Sequence, residues 1–140
     1  MSRLLVALQF LLIATIAVRV EPSRAGLASV LLLVAGLALG AWALSANRPG
    51  NFNIRPDPKP GGSLVTRGPY RWVRHPMYLA VMVFMAAFCV AGDALQWAAW
   101  AALLGVLVAK AVREERELPL VHPGYADYRA RTRAILPLIL

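Results

Sequence analysis

Apolar residues along this chain gather into four long runs separated by polar breaks. They cover Leu4 to Val18, Leu27 to Ala46, Met77 to Ala91, and Ala94 to Ala109 running on into Lys110. A helix that crosses a bilayer needs about 20 mostly apolar residues, within a range of about 17–25. Runs two and four meet this length, and run two carries no charge. Runs one and three are shorter and borrow flanking residues such as Arg19 or Arg74, whose stems can lie on apolar surface while their heads reach water. The pattern predicts an all-α integral membrane protein, a bundle of about four transmembrane helices. It treats residues 1–140 as one membrane domain, with a helix pair over 1–46 and the chemistry over 47–140.

Run one also has features of a signal peptide, with Ser2-Arg3 as a basic start and Ser23-Arg24-Ala25 as a small-x-small site. Arg19, Glu21 and Pro22 make a polar approach to such a site, so retention as a membrane helix is the expectation.

Between runs two and three, Asn47 to Ser63 holds Pro49, Gly50, Pro56, Pro58, Pro60, Gly61 and Gly62. Such a segment forms neither regular helix nor strand, and long irregular loops in compact domains are usually functional or disordered. The stretch Leu64 to Tyr78 then places three arginines, a histidine, two tyrosines and a tryptophan beside the membrane. Helix four is expected to continue past Lys110 through Arg113 and Glu117, with Pro119 ending or bending it. A last amphipathic helix carries Tyr125, Tyr128, Arg129, Arg131 and Arg133, and an apolar tail follows from Ile135 to Leu140.

Composition agrees with the pattern. Hydrophobic residues make up 59% of the 140 and charged residues 16%, against about 25% charged in soluble domains. The net charge of +8 would suit nucleic acid, but its placement suits a membrane. Arg48, Arg55, Lys59, Arg67, Arg71 and Arg74 lie in the second loop, and a second basic set follows Lys110. The Gly92-Asp93 turn has none. The positive-inside rule then puts both termini and the Pro-rich loop in the cytoplasm, with Arg19 and Arg24 as minor exceptions. Trp97 and Trp100 suit either an interfacial belt or packing in the bundle. The single Cys89 excludes a disulfide framework or a cysteine zinc site and reads as core.

Two polar clusters are expected at the cytoplasmic mouth. One is Tyr70, Arg71, Arg74, His75 and Tyr78; the other is Lys110, Arg113, Glu114, Glu115 and Glu117. Helical spacing puts His75 and Tyr78 on one face. The same spacing gathers Lys110, Arg113, Glu114 and Glu117 and turns Glu115 elsewhere. Taken singly, each has a plain reading: arginine anchors, a solvated charge run, a structural histidine, packing tyrosines. Taken together they put a carboxylate beside a His–Arg–Tyr group at membrane depth, where ionisable side chains are costly and default to function. A carboxylate can take an ammonium or ribose hydroxyls, and an aromatic face can take a sulfonium.

The residues Leu64-Val-Thr-x-Gly-Pro-Tyr70-Arg-x-Val-Arg-His75-Pro-x-Tyr78, Glu114-Glu115-x-x-Leu118, Tyr125-x-x-Tyr128 and Pro137 resemble the isoprenylcysteine carboxyl methyltransferase family. Phospholipid methyltransferases are related to it. The resemblance covers Asn51 to Pro137 and leaves the first two runs without a specific match. It implies an integral membrane enzyme using S-adenosyl-L-methionine on a lipid-like acceptor, without nucleic acid. It assigns Leu64, Val65, Tyr70, His75, Pro76, Met77, Tyr78 and Glu114 to the cofactor and Lys110 to the acceptor; with Lys110, Arg74 is expected to orient an anionic acceptor. Departures are Ala80 where many members carry glycine, Thr132-Arg133-Ala134 where Val-Pro-Arg is common, and Lys110 for an arginine, which is not an equivalent bidentate partner. The resemblance and the preference for arginine over lysine point to a bacterial inner membrane. Competing readings are an NADPH-dependent enzyme like the membrane sterol reductases, and a non-catalytic membrane accessory protein.

Overall fold

The computed structural model describes residues 2–47, 49, 51 and 61–135. Five α-helices are present among them: α1 (Ser2–Ala17), α2 (Leu27–Ala46), α3 (Pro76–Cys89), α4 (Ala94–Val121) and α5 (Tyr125–Arg131). Short 3-10 turns occupy Pro22–Arg24 and Gly68–Arg71. The described residues include no β-strand, only an isolated parallel bridge between Val73 and Arg133.

At 1.5 Å per residue, α2 is about 30 Å long, the thickness of a bilayer's hydrocarbon core. By the same rise α4 reaches about 42 Å, so its charged last turns extend past such a core. These two helices are long and apolar enough to cross a membrane; α1 and α3 are shorter. Only 17% of the most apolar window of α2 and 33% of that of α4 is buried, which a soluble core helix would not tolerate. Leu31, Val34, Leu37 and Leu44 of α2 stand exposed, as lipid-facing side chains do.

The helices alternate in direction. Gln9 meets Lys110 and Ile16 meets Gln96, so α1 runs antiparallel to α4. The Trp100 indole N–H donates to the Met82 carbonyl and the Cys89 thiol to the Gln96 carbonyl, so α3 runs antiparallel to α4. The core between them is Ile16, Met82, Met85, Cys89, Ala99, Leu103 and Leu107. The α2–α3 seam depends on small residues. A methyl group at Gly36 would lie 2.7 Å from the Phe84 backbone nitrogen, the close approach that small-xxx-small spacing permits. One turn on, Gly40 faces Ala80 at ordinary contact distance. The alanine at position 80 is thus met by a glycine of α2.

Element ends explain how the chain reverses. Asp93 caps α4 in a capping box, accepting from the Gln96 backbone while the Gln96 side chain accepts from the Asp93 N–H. Pro76 opens α3, where its missing N–H costs nothing. Past the Pro-rich loop, Arg67 Nε donates to the Ala46 carbonyl at 2.8 Å and caps α2. Gly68 follows at φ +60°, where an added methyl would also strike Ala46. Asn51 and Ser63 tie the base of the loop, the Asn51 carbonyl accepting from Ser63 N–H and its amide donating to the Ser63 carbonyl. Residues 52–60, Arg48 and the tail from 136, including Pro137, lie outside the described residues.

Two expectations need correcting. Pro119 does not end α4, which continues to Val121; so near the C-terminus the ring removes only one backbone donor. Arg133 is not helical. Its N–H donates to the Trp72 carbonyl, its carbonyl accepts from Arg74 N–H, and His75 N–H donates to Ala134.

Candidate functional site

The bridge between 133 and 73 positions the site. It pins the C-terminal segment against the approach to α3 and turns Arg74 and His75 toward α4. Arg74 grips Glu115 with two hydrogen bonds, Nε to Oε1 at 2.7 Å and Nη2 to Oε2 at 3.2 Å. Its Nη1 donates to the carbonyls of Thr132 and Arg129. Both side chains of the pair are about nine-tenths buried. Such a fork is the strong form of an ion pair.

His75 sits between the two glutamates. Its Nδ1 is 3.2 Å from Glu114 Oε2 and its Nε2 is 3.2 Å from Glu115 Oε1. A ring nitrogen must carry a proton to bond a carboxylate, and only imidazolium carries two. Burial pushes the His75 pKa down, but the hydrogen bonds to Glu114 and Glu115 and their charges outweigh it, and the net shift is upward. Tyr78 stacks on His75 with ring centroids 5.2 Å apart and donates its hydroxyl to Glu114. Glu114 is thereby aimed from two sides, yet its side chain keeps 20% exposure, against 9% for Glu115.

Lys110 is fully buried. Its ammonium donates to Gln9 Oε1 at 2.6 Å and lies 5.1 Å from the centre of the Tyr78 ring. Tyr70 lies on the 3-10 turn, half-buried; desolvation raises its hydroxyl pKa, a hydrogen bond with Asn47 lowers it, and the Glu114 charge raises it further. Its carbonyl accepts from the Tyr128 hydroxyl at 2.8 Å.

The fold thus brings together Tyr70, Arg74, His75, Tyr78, Lys110 and Glu114. Leu64 and Val65 are half-buried in the extended segment before the turn, and Met77 is half-buried on α3. Pro76 lies on the other flank, facing a groove against α2. Arg113 stays in a partly exposed local pair with Glu117 at 3.5 Å. The expectation that Glu115 points elsewhere is overturned. It projects about 100° from Glu114 around the helix, and His75 occupies the angle between them and holds both.

Sequence reasoning turned Glu115 away from the site and missed Gln9. The signal for Gln9 was present: it is a polar side chain inside an apolar run, which at membrane depth asks for a partner. Cys89 is buried as expected. Trp100 is a packing residue through its bond to Met82, while Trp97 remains exposed beside it.

A helical bundle with lipid-facing flanks and a buried cation–carboxylate cluster at one end defines the class as a membrane protein with a polar site at its mouth. Residues 29–122 match the isoprenylcysteine carboxyl methyltransferase (ICMT) family, and the chain belongs to that family. It is therefore a membrane methyltransferase. The match includes α2, which had shown no specific resemblance, and stops before α5. No curated protein matches the chain.

Proposed function

We propose that this protein transfers a methyl group from S-adenosyl-L-methionine to a lipid-like or amphiphilic acceptor at the membrane face where α4 emerges. The observation that carries the reading is Glu114, a carboxylate held by Tyr78 and His75 that still reaches the open side. The cofactor, when bound, supplies the methyl group as an electrophile. Its ammonium or ribose hydroxyls would find a fixed acceptor in Glu114. The Tyr78 ring is already met by His75 and by Lys110 Nζ, so its part is to hold the site together around Glu114. We assign Tyr70, Leu64, Val65 and Met77 to the remaining wall of the cofactor site.

Within this reading His75 and Tyr78 hold Glu114 in one orientation, because their polar atoms are already engaged. Arg74 clamps Glu115 and the C-terminal segment, and we assign the orienting of an anionic acceptor to Lys110, beside the Tyr78 ring. A carboxylate acceptor is ionised at neutral pH, and positioning then does most of the work with no general base. We read α1 and α3 as crossing the membrane with α2 and α4. The basic loops then lie in the cytoplasm, and a bacterial inner membrane would suit them.

Membranes containing the protein, given S-adenosyl-L-methionine labelled on its methyl group, test this. Label should pass into the organic-extractable fraction with wild-type protein and fall at least tenfold with Glu114→Ala. Equal label in both would contradict the role of Glu114, and no transfer to any lipid fraction would contradict the acceptor class.

A further inference from the structure

The geometry points to a binding site for an anionic phospholipid on the flank of the bundle away from the glutamates. A groove of about 620 Å³ runs between α2, the 3-10 turn and the start of α3, within the range of about 300–1,000 Å³ typical of small-molecule sites. Its walls are largely apolar, with Leu39 and Trp42 of α2 facing Trp72 and Leu79. A second hollow of about 240 Å³, lined by Thr66, Arg71, Tyr128, Arg131 and Thr132, shares Arg131 and Thr132 with the first. Arg133 stands on the groove's own rim. An apolar trough therefore meets a polar notch at a pair of shared residues, the outline of one acyl chain and its headgroup.

Charge decides which headgroup. Among the described residues lining either hollow there is no aspartate or glutamate. Arg71, Arg131 and Arg133 are exposed, and none of them forms an ion pair among the described residues. Arg131 Nε donates to the Asp127 carbonyl, and Arg71 lies over the Trp72 ring. Three cations in a small rim with no acidic residue among the described lining residues select an anion, and basic pockets beside membrane helices take anionic lipid headgroups. Trp42 and Trp72 pack edge to face at 5.7 Å, the kind of aromatic pair that sits at headgroup depth. The exposed leucines of α2 place the trough on a surface that acyl chains already cover. None of its lining residues belongs to the Glu114–His75–Glu115 cluster, so the site is independent of the methyl-transfer reading.

Native mass spectrometry of the detergent-purified full chain tests this, using phosphatidylglycerol and phosphatidylcholine of identical chains in equal amounts. One phosphatidylglycerol should be retained per chain in preference to phosphatidylcholine. Each arginine removed, in Arg131→Ala and Arg133→Ala, should cut that preference roughly fivefold. Leu39→Trp, which fills the trough, should lower retention of both lipids at unchanged helix content by circular dichroism. Binding of S-adenosylhomocysteine by Arg131→Ala alone, a residue outside the bridge that positions Arg74 and His75, should stay at the wild-type level, which separates this site from the cofactor reading. Equal retention of the two lipids would overturn the proposal, as would a preference that survives the double arginine variant. So would a folded chain that retains neither lipid, since the groove would then be closed by residues of the chain itself.

Discussion

At the end of the bundle where α4 leaves it, Arg74, His75, Glu114 and Glu115 meet largely out of water. At the opposite end the linking residue is neutral. Gln96 bonds the Asp93 N–H and the Ile16 carbonyl, and its own carbonyl accepts from the Cys89 thiol. The ion pairs there, Arg19 with Asp93 and Arg24 with Glu21, are both largely in solvent. Both ends join α4 to the α3 side of the bundle, so tying helices together does not require buried charge. An amide does it without the desolvation cost that burying ions carries. The charged end therefore calls for another explanation, and the proposed binding of a cationic ligand by an aimed carboxylate supplies one.

The contrast can be broken by mutation at either end. The largest effect is expected from Glu115→Ala, which leaves Arg74 and His75 buried without their shared partner. Removing one member of a buried pair costs about 3–5 kcal/mol, read as a lower denaturation midpoint in detergent. Gln96→Ala comes next. It strips a partner from the Ile16 carbonyl and undoes half of the α4 capping box, at a cost of about 1–3 kcal/mol, seen by the same measurement.

Titration sharpens the contrast further. The His75 pKa is raised in the folded protein above the unfolded value of about 6.5. Charged His75 then contributes stability that is fully present below about pH 6.5 and is lost as pH rises through the folded pKa. Unfolding midpoints should fall across that window, and His75→Gln should remove the dependence. The smallest effect belongs to Arg19→Ala. Exposed pairs contribute little, and its midpoint should match the wild type at low and high salt alike.

Much of this arrangement was legible in the residues. The span of α2 was read to the residue, because Gly26 and Asn47 bracket a run without a charge. His75, Tyr78 and Glu114 were expected together and meet. What could not be read depended on contacts distant in sequence. The bridge from Arg133 to Val73 joins residues sixty positions apart with no periodicity to announce it. Helical spacing separated Glu115 from Glu114, and only the position of His75 between them restores the pair. Pro119 misled because a proline near a helix C-terminus disturbs little. Gln9 was passed over because the apolar run around it dominates its neighbourhood.

The central claim is that the charged end exists to bind the cofactor. Calorimetric titration of S-adenosylhomocysteine into the detergent-purified protein measures that directly, with Glu114→Ala and Arg19→Ala alongside. The account predicts saturable binding by the wild type and by Arg19→Ala, and its loss in a folded Glu114→Ala. Binding undiminished in Glu114→Ala, or absent from the folded wild type, would contradict it.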